Sequence, residues 1–371
     1  QQSKSKVPTV EKMVKHAYSQ GASDIHIRVG EVPRYRLRGK MEPVKTNFKV
    51  TSEVFQHYLE EILTPEQRER FERDKELDTA IFYPGLVRCR VNCFETLSGG
   101  AMVLRLITLE VPSVDDLGLP PVLKKVVEKS QGLILITGPT GSGKSTTLAA
   151  MMRHMNENQY RHIVTIEDPI EYIHSSQNCL ISQREVGLHT HEFHNALRAV
   201  LREDPDVILI GEMRDRTTIN TALQAAQTGH LVFGTLHTRN AINSVNRLLN
   251  MYPPEEQDTM RIQIAESLVA VVAQLLLPTT DGRRTAVHDI LVNTGAMQDY
   301  LLKGEEDEAF QLMKTDKYEG MQIINHALYH KILEGRITIE EAHKVSPDIG
   351  ELDRLIRTGG YDPSDNPREW S

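Results

Sequence analysis

The chain has 371 residues, 39% of them hydrophobic and 25% charged, which allows a sizeable core and is too long for one ordinary domain. A formal net charge of −8 and a single tryptophan argue against a nucleic-acid surface, which needs a basic track with stacking aromatics. Three cysteines, Cys89, Cys93 and Cys179, are too few for a four-cysteine zinc site and read as packed, reduced thiols.

Gln1 to Val7 are polar and basic with no apolar stretch behind them, unlike a secretory signal. Val10, Met13, Val14 and Ala17 then recur at helical spacing over Val10 to Ser19, and Gly21 ends that helix. In Ala22 to Gly30, the polar Asp24, His26 and Arg28 alternate with Ile25, Ile27 and Val29, the pattern of a half-buried strand. Arg34 to Arg38, after Pro33, is its expected hairpin partner. His26 has no second metal-type residue at a useful spacing and reads as a polar-face residue rather than a ligand. Thr51 to Asp74 reads as one or two helices. Leu77 to Phe82, Leu86 to Phe94 and Ala101 to Ile107 read as strands, turning at Pro84-Gly85 and Ser98-Gly99-Gly100. Residues 1–108 are therefore expected to form a small α+β domain, with a proline-punctuated linker over 109–131.

Beyond the linker, apolar strands alternate with helices, the signature of a parallel sheet covered on both faces. The strand candidates are Leu133 to Thr137, Ile163 to Ile166, Val207 to Ile210 and Leu231 to Thr235. Between the first strand and the following helix stand Gly138, Pro139, Thr140, Gly141, Ser142, Gly143, Lys144, Ser145 and Thr146. Glycines there let successive N–H groups turn inward around phosphate oxygens, and the helix N-terminus adds its own donors. Lys144 can bring a point charge to the β- and γ-phosphates and Ser145 a hydroxyl to Mg²⁺, so a nucleoside triphosphate is the expected ligand. Carboxylates follow two later strands, as Glu167-Asp168 with Glu171, and as Gly211-Glu212, and His230 and His237 bracket a third. A carboxylate there can hold Mg²⁺ through water or orient the attacking water, and a histidine can touch the γ-phosphate. Taken singly, each reads equally well as that or as a mere helix cap or solvated charge.

His189, His191 and His194 fall where a helix opens and do not read as a metal site. The longest apolar run, Leu268 to Leu277, is interrupted by Gln274 and is about half of what a bilayer-spanning helix needs. No direct membrane insertion is expected, and the chain reads as cytoplasmic. Gly320 to Leu328 and Thr338 to Ala342 read as amphipathic helices, one of them stopped by Gly335, and Gly359 to Ser371 as a mobile tail or packed strap.

Four linked segments carry a family resemblance. GPTGSGKST from Gly138, TIEDPIEY from Thr165, LREDPDVILIGEMRD from Leu201 and TGHLVFGTLHT from Thr228 stand in the order Walker A, Asp box, Walker B and His box. With the GASDIHIR strand, they make residues 10–357 resemble the type IV pilus and type II secretion ATPases, most closely the pilus-retraction, or twitching-motility, branch. The resemblance implies an α/β fold in three parts: a PAS-like α+β N-terminal domain, a RecA-like P-loop ATPase domain over 132–295, and a C-terminal helical region with tail over 296–371. It implies a homo-oligomeric, hexameric ring that hydrolyses ATP with Mg²⁺ and acts on a pilus platform protein at the cytoplasmic face of the inner membrane, with no nucleic acid as partner.

Carried over residue by residue, the resemblance makes Glu212 the general base or water-positioner, with Gly211 where a Walker B aspartate usually stands. Mg²⁺ would rely on Ser145 and on the carboxylates Glu167, Asp168 and Glu212 acting through water, with Glu171 a further carboxylate. His230 and His237 become the His-box pair, and Arg90 and Arg105 the arginines that reach a neighbouring subunit's nucleotide. On the residues alone, Arg88, Arg90 and Arg105 read as charges on a solvated sheet face. Met213 and the lack of a tetracysteine insert favour the retraction branch. Ala296 to Lys303 does not, because it lacks two arginines of that branch's motif. The alternatives are an assembly or secretion ATPase, a RecA-like nucleic-acid translocase, and a silent nucleotide-binding scaffold.

Overall fold

The computed structural model describes residues 7–360. They divide into two compact units, one running to Val111 and taking in Glu171–His174, the other comprising Pro112–Ile170 and the chain from Ser175 on.

In the first unit, helix α1 (Val10–Ser19) starts where the Thr9 hydroxyl accepts from the Lys12 N–H, and it buries Val10, Met13, Val14 and Ala17. Strands β1 (Asp24–Arg28), β2 (Arg34–Leu37) and β3 (Lys40–Pro43) follow, the last not anticipated from the sequence. The 51–74 stretch splits into α2 (Ser52–Ile62) and α3 (Pro65–Asp74), because Thr64 and Gln67 close a capping box with Pro65 at the first turn. Strands β4 (Glu76–Tyr83), β5 (Val87–Thr96) and β6 (Gly99–Thr108) complete an antiparallel sheet of order β3-β2-β1-β6-β5-β4. Ile25, Ile27, Cys89, Val91, Met102 and Leu104 are buried and pack in one core with residues of α1 and α2. Burial pushes the Cys89 and Cys93 thiols up to about 12, which keeps them protonated and inert at neutral pH.

The second unit opens with α4 (Val122–Val126), β7 (Gly132–Thr137), α5 (Lys144–Asn158), β8 (His162–Glu167), β9 (Leu180–Glu185) and α6 (Phe193–Ala199). It continues through β10 (Val207–Ile210), α7 (Arg216–Gln227), β11 (Leu231–Leu236), α8 (Ala241–Leu249) and α9 (Pro254–Ser267). A hairpin, β12 (Leu268–Pro278) and β13 (Arg284–Val292), precedes five helices: α10 (Gly295–Lys303), α11 (Glu306–Thr315), α12 (Ile324–Leu333), α13 (Ile339–Val345) and α14 (Ile349–Arg357). The sheet order is β13-β12-β7-β11-β10-β8-β9, every pair parallel except β12–β13. Leu133 and Leu135 of β7 enter one core with α6 to α9, and Ile134 and Ile136 enter another with α4 and α5. Both faces are thus covered, which is why these strands are continuous apolar runs.

The Leu268 to Leu277 run is strand β12, buried beside β7. The helix expected from Gly320 begins only at Ile324, because Gln322 instead forms a bridge to Ile290 of β13. Of the expected tail, residues 361–371 lie outside the described residues. Among the described residues no helix is long and apolar enough to cross a membrane.

Two consecutive polar side chains of β13, His288 and Asp289, are 3% and 4% exposed. The Asp289 carboxylate accepts from the Ala241 N–H at 2.8 Å, holding the start of α8. Burial pushes its pKa up to about 6, opposed by the N–H groups of Ala241 and Ile324. Burial pushes His288 down from 6.5 to about 4. The unfolded chain therefore takes up a proton at His288 as pH falls through 6.5, while the folded chain does not until about 4, and stability drops over that window. Asp289 acts in the opposite sense: its raised pKa favours the folded state on acidification between about 6 and 3.8. Comparing wild type with His288→Gln isolates the histidine. The wild type is expected to lose about 2 kcal/mol relative to that variant between pH 7 and pH 5, read from urea midpoints. A difference independent of pH would show that position 288 is not a neutral buried imidazole.

Candidate functional site

The Gly138–Ser145 loop leaves the end of β7, which lies in the sheet between β11 and β12. Its glycines are required by space and by backbone angle. A Cβ at Gly138 would stand 2.5 Å from the Gln274 carbonyl oxygen, and one at Gly143, with φ +86°, would stand 2.7 Å from Gln274 Nε2. Gly143 is the N-cap of α5, so Lys144, Ser145 and Thr146 form the first turn of the helix. Thr140 and Gly141 are exposed, Pro139 is half-buried, and Ser142 is buried with no hydrogen-bond partner for its hydroxyl.

The Lys144 ammonium folds back over the loop. It donates to the Gly138 carbonyl at 2.7 Å and the Leu236 carbonyl at 3.2 Å, and stands 3.1 Å from His237 Nδ1. An ammonium can only donate, so Nδ1 is the acceptor and the ring hydrogen sits on Nε2. Nε2 lies 3.1 Å from Glu212 Oε1, and there it donates. Among the described residues no carboxylate lies within ion-pair distance of Nζ. Burial holds the lysine below its ordinary pKa, with the Glu212 charge pulling the other way. A half-buried cation with only neutral partners is prepared for an incoming anion.

The Glu212 end is built by close strand contacts. A Cβ at Gly211 would stand 2.9 Å from the Ile166 carbonyl oxygen, so the position that often carries an aspartate admits only glycine here. Met213 fills the space over Gly234, where a Cβ would come within 2.8 Å of its thioether. The Thr235 hydroxyl donates to the Gly211 carbonyl, and the Met213 N–H donates to the Thr235 carbonyl at 3.0 Å. Arg214 spans the carboxylates, 3.5 Å from Glu212 Oε2 and 3.4 Å from Asp168 Oδ2, with its guanidinium 4.8 Å from the centre of the Phe193 ring. Glu167 ends β8 and accepts from the Thr165 hydroxyl at 2.7 Å and from Gln183 Nε2 at 3.1 Å. Ser145, Glu167, Asp168 and Glu212 offer hard oxygen donors, the chemistry that suits Mg²⁺.

The structure therefore brings Lys144, His237, Glu212 and Asp168 into one hydrogen-bonded and ion-paired chain, with Arg214 as the bridge between the two carboxylates. Of the two His-box residues, His237 belongs to this chain of contacts and His230 lies at the other end of the same strand. His230 precedes β11, donates from Nδ1 to the Ala225 carbonyl at 3.0 Å, and accepts at its own carbonyl from the Gly132 N–H at the start of β7. His237 follows the same strand, so the two histidines are separated by six strand residues, roughly 20 Å of extended chain. Glu171 is grouped with the first unit. Arg90 and Arg105 are direct cross-strand partners on β5 and β6 of that unit, both exposed, with Arg105 Nε donating to the buried Asp24 at 3.0 Å. His189 accepts from the Glu185 N–H at 2.9 Å, and His194 pairs with Asp215 at 3.2 Å. Sequence reasoning missed two contributors, Arg214 and Gln274. The latter's signal was a lone amide inside an apolar strand.

The family described as "Type II/IV secretion system protein" matches residues 1–357. The chain is similar to the type IV pilus retraction ATPase PilT of Pseudomonas aeruginosa, 42% identical over 326 residues that cover 88% of this chain and 94% of that protein. It is similar to the type IV pilus ATPase PilU of the same organism, 39% identical over 357 residues, 96% of this chain and 93% of that one. Among solved structures, the pilus retraction motor PilT with bound ADP superposes with a TM-score of 0.85 at 39% identity, covering 94% of this chain and all 100% of that chain. The expected α/β architecture, with its parallel strands and C-terminal helices, is the one seen in that neighbour.

Replacing Lys144 with Met removes the ammonium and leaves the glycines in place. Affinity for a nucleoside diphosphate or triphosphate, read by calorimetry, is expected to fall roughly 10- to 100-fold. Unchanged affinity would mean that the loop is not a phosphate cradle.

Proposed function

The chain belongs to the Type II/IV secretion system protein family, and on that membership and this site we propose that it is a P-loop ATPase motor driving type IV pilus retraction. The observation that carries the reading is the Lys144–His237–Glu212 chain, which joins the glycine loop to the Gly-Glu strand end through one imidazole. In it, the residue that would bind phosphate and the residue that would handle the attacking water already sense each other.

The N–H groups of the loop and of the first turn of α5 bind the β- and γ-phosphates of ATP. Lys144 exchanges two carbonyls and an imidazole for phosphate oxygens, which are stronger partners. That exchange frees His237 and leaves Glu212 to orient the water that attacks the γ-phosphorus and to take its proton. Ser145, with Glu167, Asp168 and Glu212 acting through water, would hold Mg²⁺, which neutralises charge on the phosphates when bound. Arg214 keeps Asp168 and Glu212 together without neutralising either completely, since these groups are 40–47% exposed.

Arg90 and Arg105 act on the nucleotide of a neighbouring subunit in a hexameric ring. Their placement supports this: like charges directly opposite across a sheet repel, and Asp24 answers only one of them. An arginine delivered from outside a phosphoryl-transfer site is worth ~10³–10⁵ in rate and couples hydrolysis to subunit position. The motor works at the cytoplasmic face of the inner membrane on a pilus platform protein. One observation favours a variant reading. Helix α10 carries Met297, Asp299, Tyr300 and Leu301, without the two arginines of the retraction motif, which suits a retraction paralogue with a modified role.

Mg²⁺-dependent ATP turnover per subunit is expected to rise with protein concentration as rings form, tracked by light scattering. Glu212→Gln should lower kcat by roughly 10²-fold or more with binding retained, and Arg90→Ala should do so only in the assembled ring. A monomer turning over ATP at full rate with Arg90→Ala silent would overturn the ring motor.

A further inference from the structure

We propose that Gln274 is a positioning residue for the glycine loop, and that His288 holds it in place, so that the β12–β13 hairpin behind the loop sets part of the affinity for nucleotide. The inference rests on the reading of Gly138–Ser145 as the nucleotide site.

Strand β12 runs parallel to β7 and continues past its end. Ala273 pairs with Thr137, so Gln274 stands level with the first loop residue, and His288 is its cross-strand partner on β13. Gln274 is 2% exposed and makes three contacts. Its Nε2 donates to the Ser142 carbonyl at 2.6 Å. Its Oε1 accepts from the Thr147 hydroxyl at 2.5 Å and from His288 Nε2 at 3.0 Å. The orientation of the amide follows from the partners, because the Ser142 carbonyl can only accept. One buried amide thus grips both the loop and the first turns of α5.

The grip has a geometric consequence. In a planar trans peptide the carbonyl oxygen and the following N–H point in opposite directions. With the Ser142 oxygen held towards the Gln274 amide, the N–H of Gly143 points away from that amide. The φ of +86° at Gly143 is open to glycine and strained for any residue with a Cβ, so the loop keeps this turn only with glycine there. An N–H aimed in advance does not have to be ordered when phosphate arrives. His288 fixes the amide in turn: burial keeps its imidazole neutral, and its Nε2 hydrogen occupies Gln274 Oε1. Without that donor, the rotatable Thr147 hydroxyl alone holds Oε1, and the amide is less firmly fixed on Ser142.

The test compares ADP affinity by calorimetry, ATP kinetics and melting temperature in the full chain. Gln274→Met preserves length and removes the donor; it is expected to weaken ADP binding and raise KM for ATP about tenfold, with a much smaller change in kcat. His288→Leu should raise KM in the same direction, and His288→Gln, whose amide can still donate to Gln274, should restore it. Leu275→Ala, a buried neighbour on the opposite face of β12, serves as control and should lower the melting temperature while leaving KM unchanged. If Gln274→Met does not fold, the His288 pair carries the same comparison. Nucleotide affinity and KM within twofold of wild type in Gln274→Met and His288→Leu, or an equal rise in Leu275→Ala, would overturn the positioning role. Wild-type protein that binds no ADP would instead overturn the nucleotide reading beneath it.

Discussion

A half-buried ammonium must be answered, and the structure answers Lys144 with two carbonyls and one imidazole rather than with a carboxylate. Neutral acceptors satisfy its hydrogen-bonding capacity while leaving its charge to be claimed. A direct ion pair to Glu212 would be harder to break and would occupy both of the groups that phosphate chemistry needs. The interposed His237 keeps them connected through contacts of 3.1 Å on either side. His237 is 58% exposed and Glu212 is 40% exposed, so these contacts are individually weak and readily exchanged for phosphate.

The rest of the second unit serves to put these ends together. Parallel strands deliver their carboxyl ends to one edge of the sheet, where α/β folds collect ligands. Close packing then fixes the details. Gly211 lets β10 approach the end of β8, and Gly234 makes room for Met213, which a side chain at either position would prevent. On the other flank, β13 places His288 towards the glycine loop through Gln274, and its next residue, Asp289, at the start of α8. Successive strand residues face opposite ways, so a single two-residue polar step links the loop and the helix that follows His237. Buried polar contacts of this kind are expensive unless fully satisfied, which makes the hairpin a rigid support and not a filler.

Much of this was legible in the residues. The strand–loop–helix around Gly138 to Ser145 carries its mechanism in its spacing, and the alternation of Asp24, His26 and Arg28 with apolar neighbours places β1 correctly. What was hidden depended on register and on long-range pairing. The apolar period alone could not show that Leu268 to Leu277 lies beside β7, so Gln274 looked like an interruption and not a hinge pin for the loop. Arg90 and Arg105 lie 15 positions apart in sequence, and nothing local shows that they face each other across β5 and β6. Strand β3 and edge strand β9 carry mixed polar residues with no clean alternation, so pattern gives little purchase on either.

The central claim, that His237 relays between Lys144 and Glu212 and gives up that relay to phosphate, is tested most directly by nitrogen-15 NMR of the histidine rings. The His237 signal, assigned by its loss in His237→Gln, should show a neutral ring with its hydrogen on Nε2 in nucleotide-free protein. Saturation with Mg²⁺ and a non-hydrolysable ATP analogue should shift the Nδ1 resonance as Lys144 leaves it. A His237 ring carrying its hydrogen on Nδ1 without nucleotide, or one whose Nδ1 is unmoved at saturation, would contradict it.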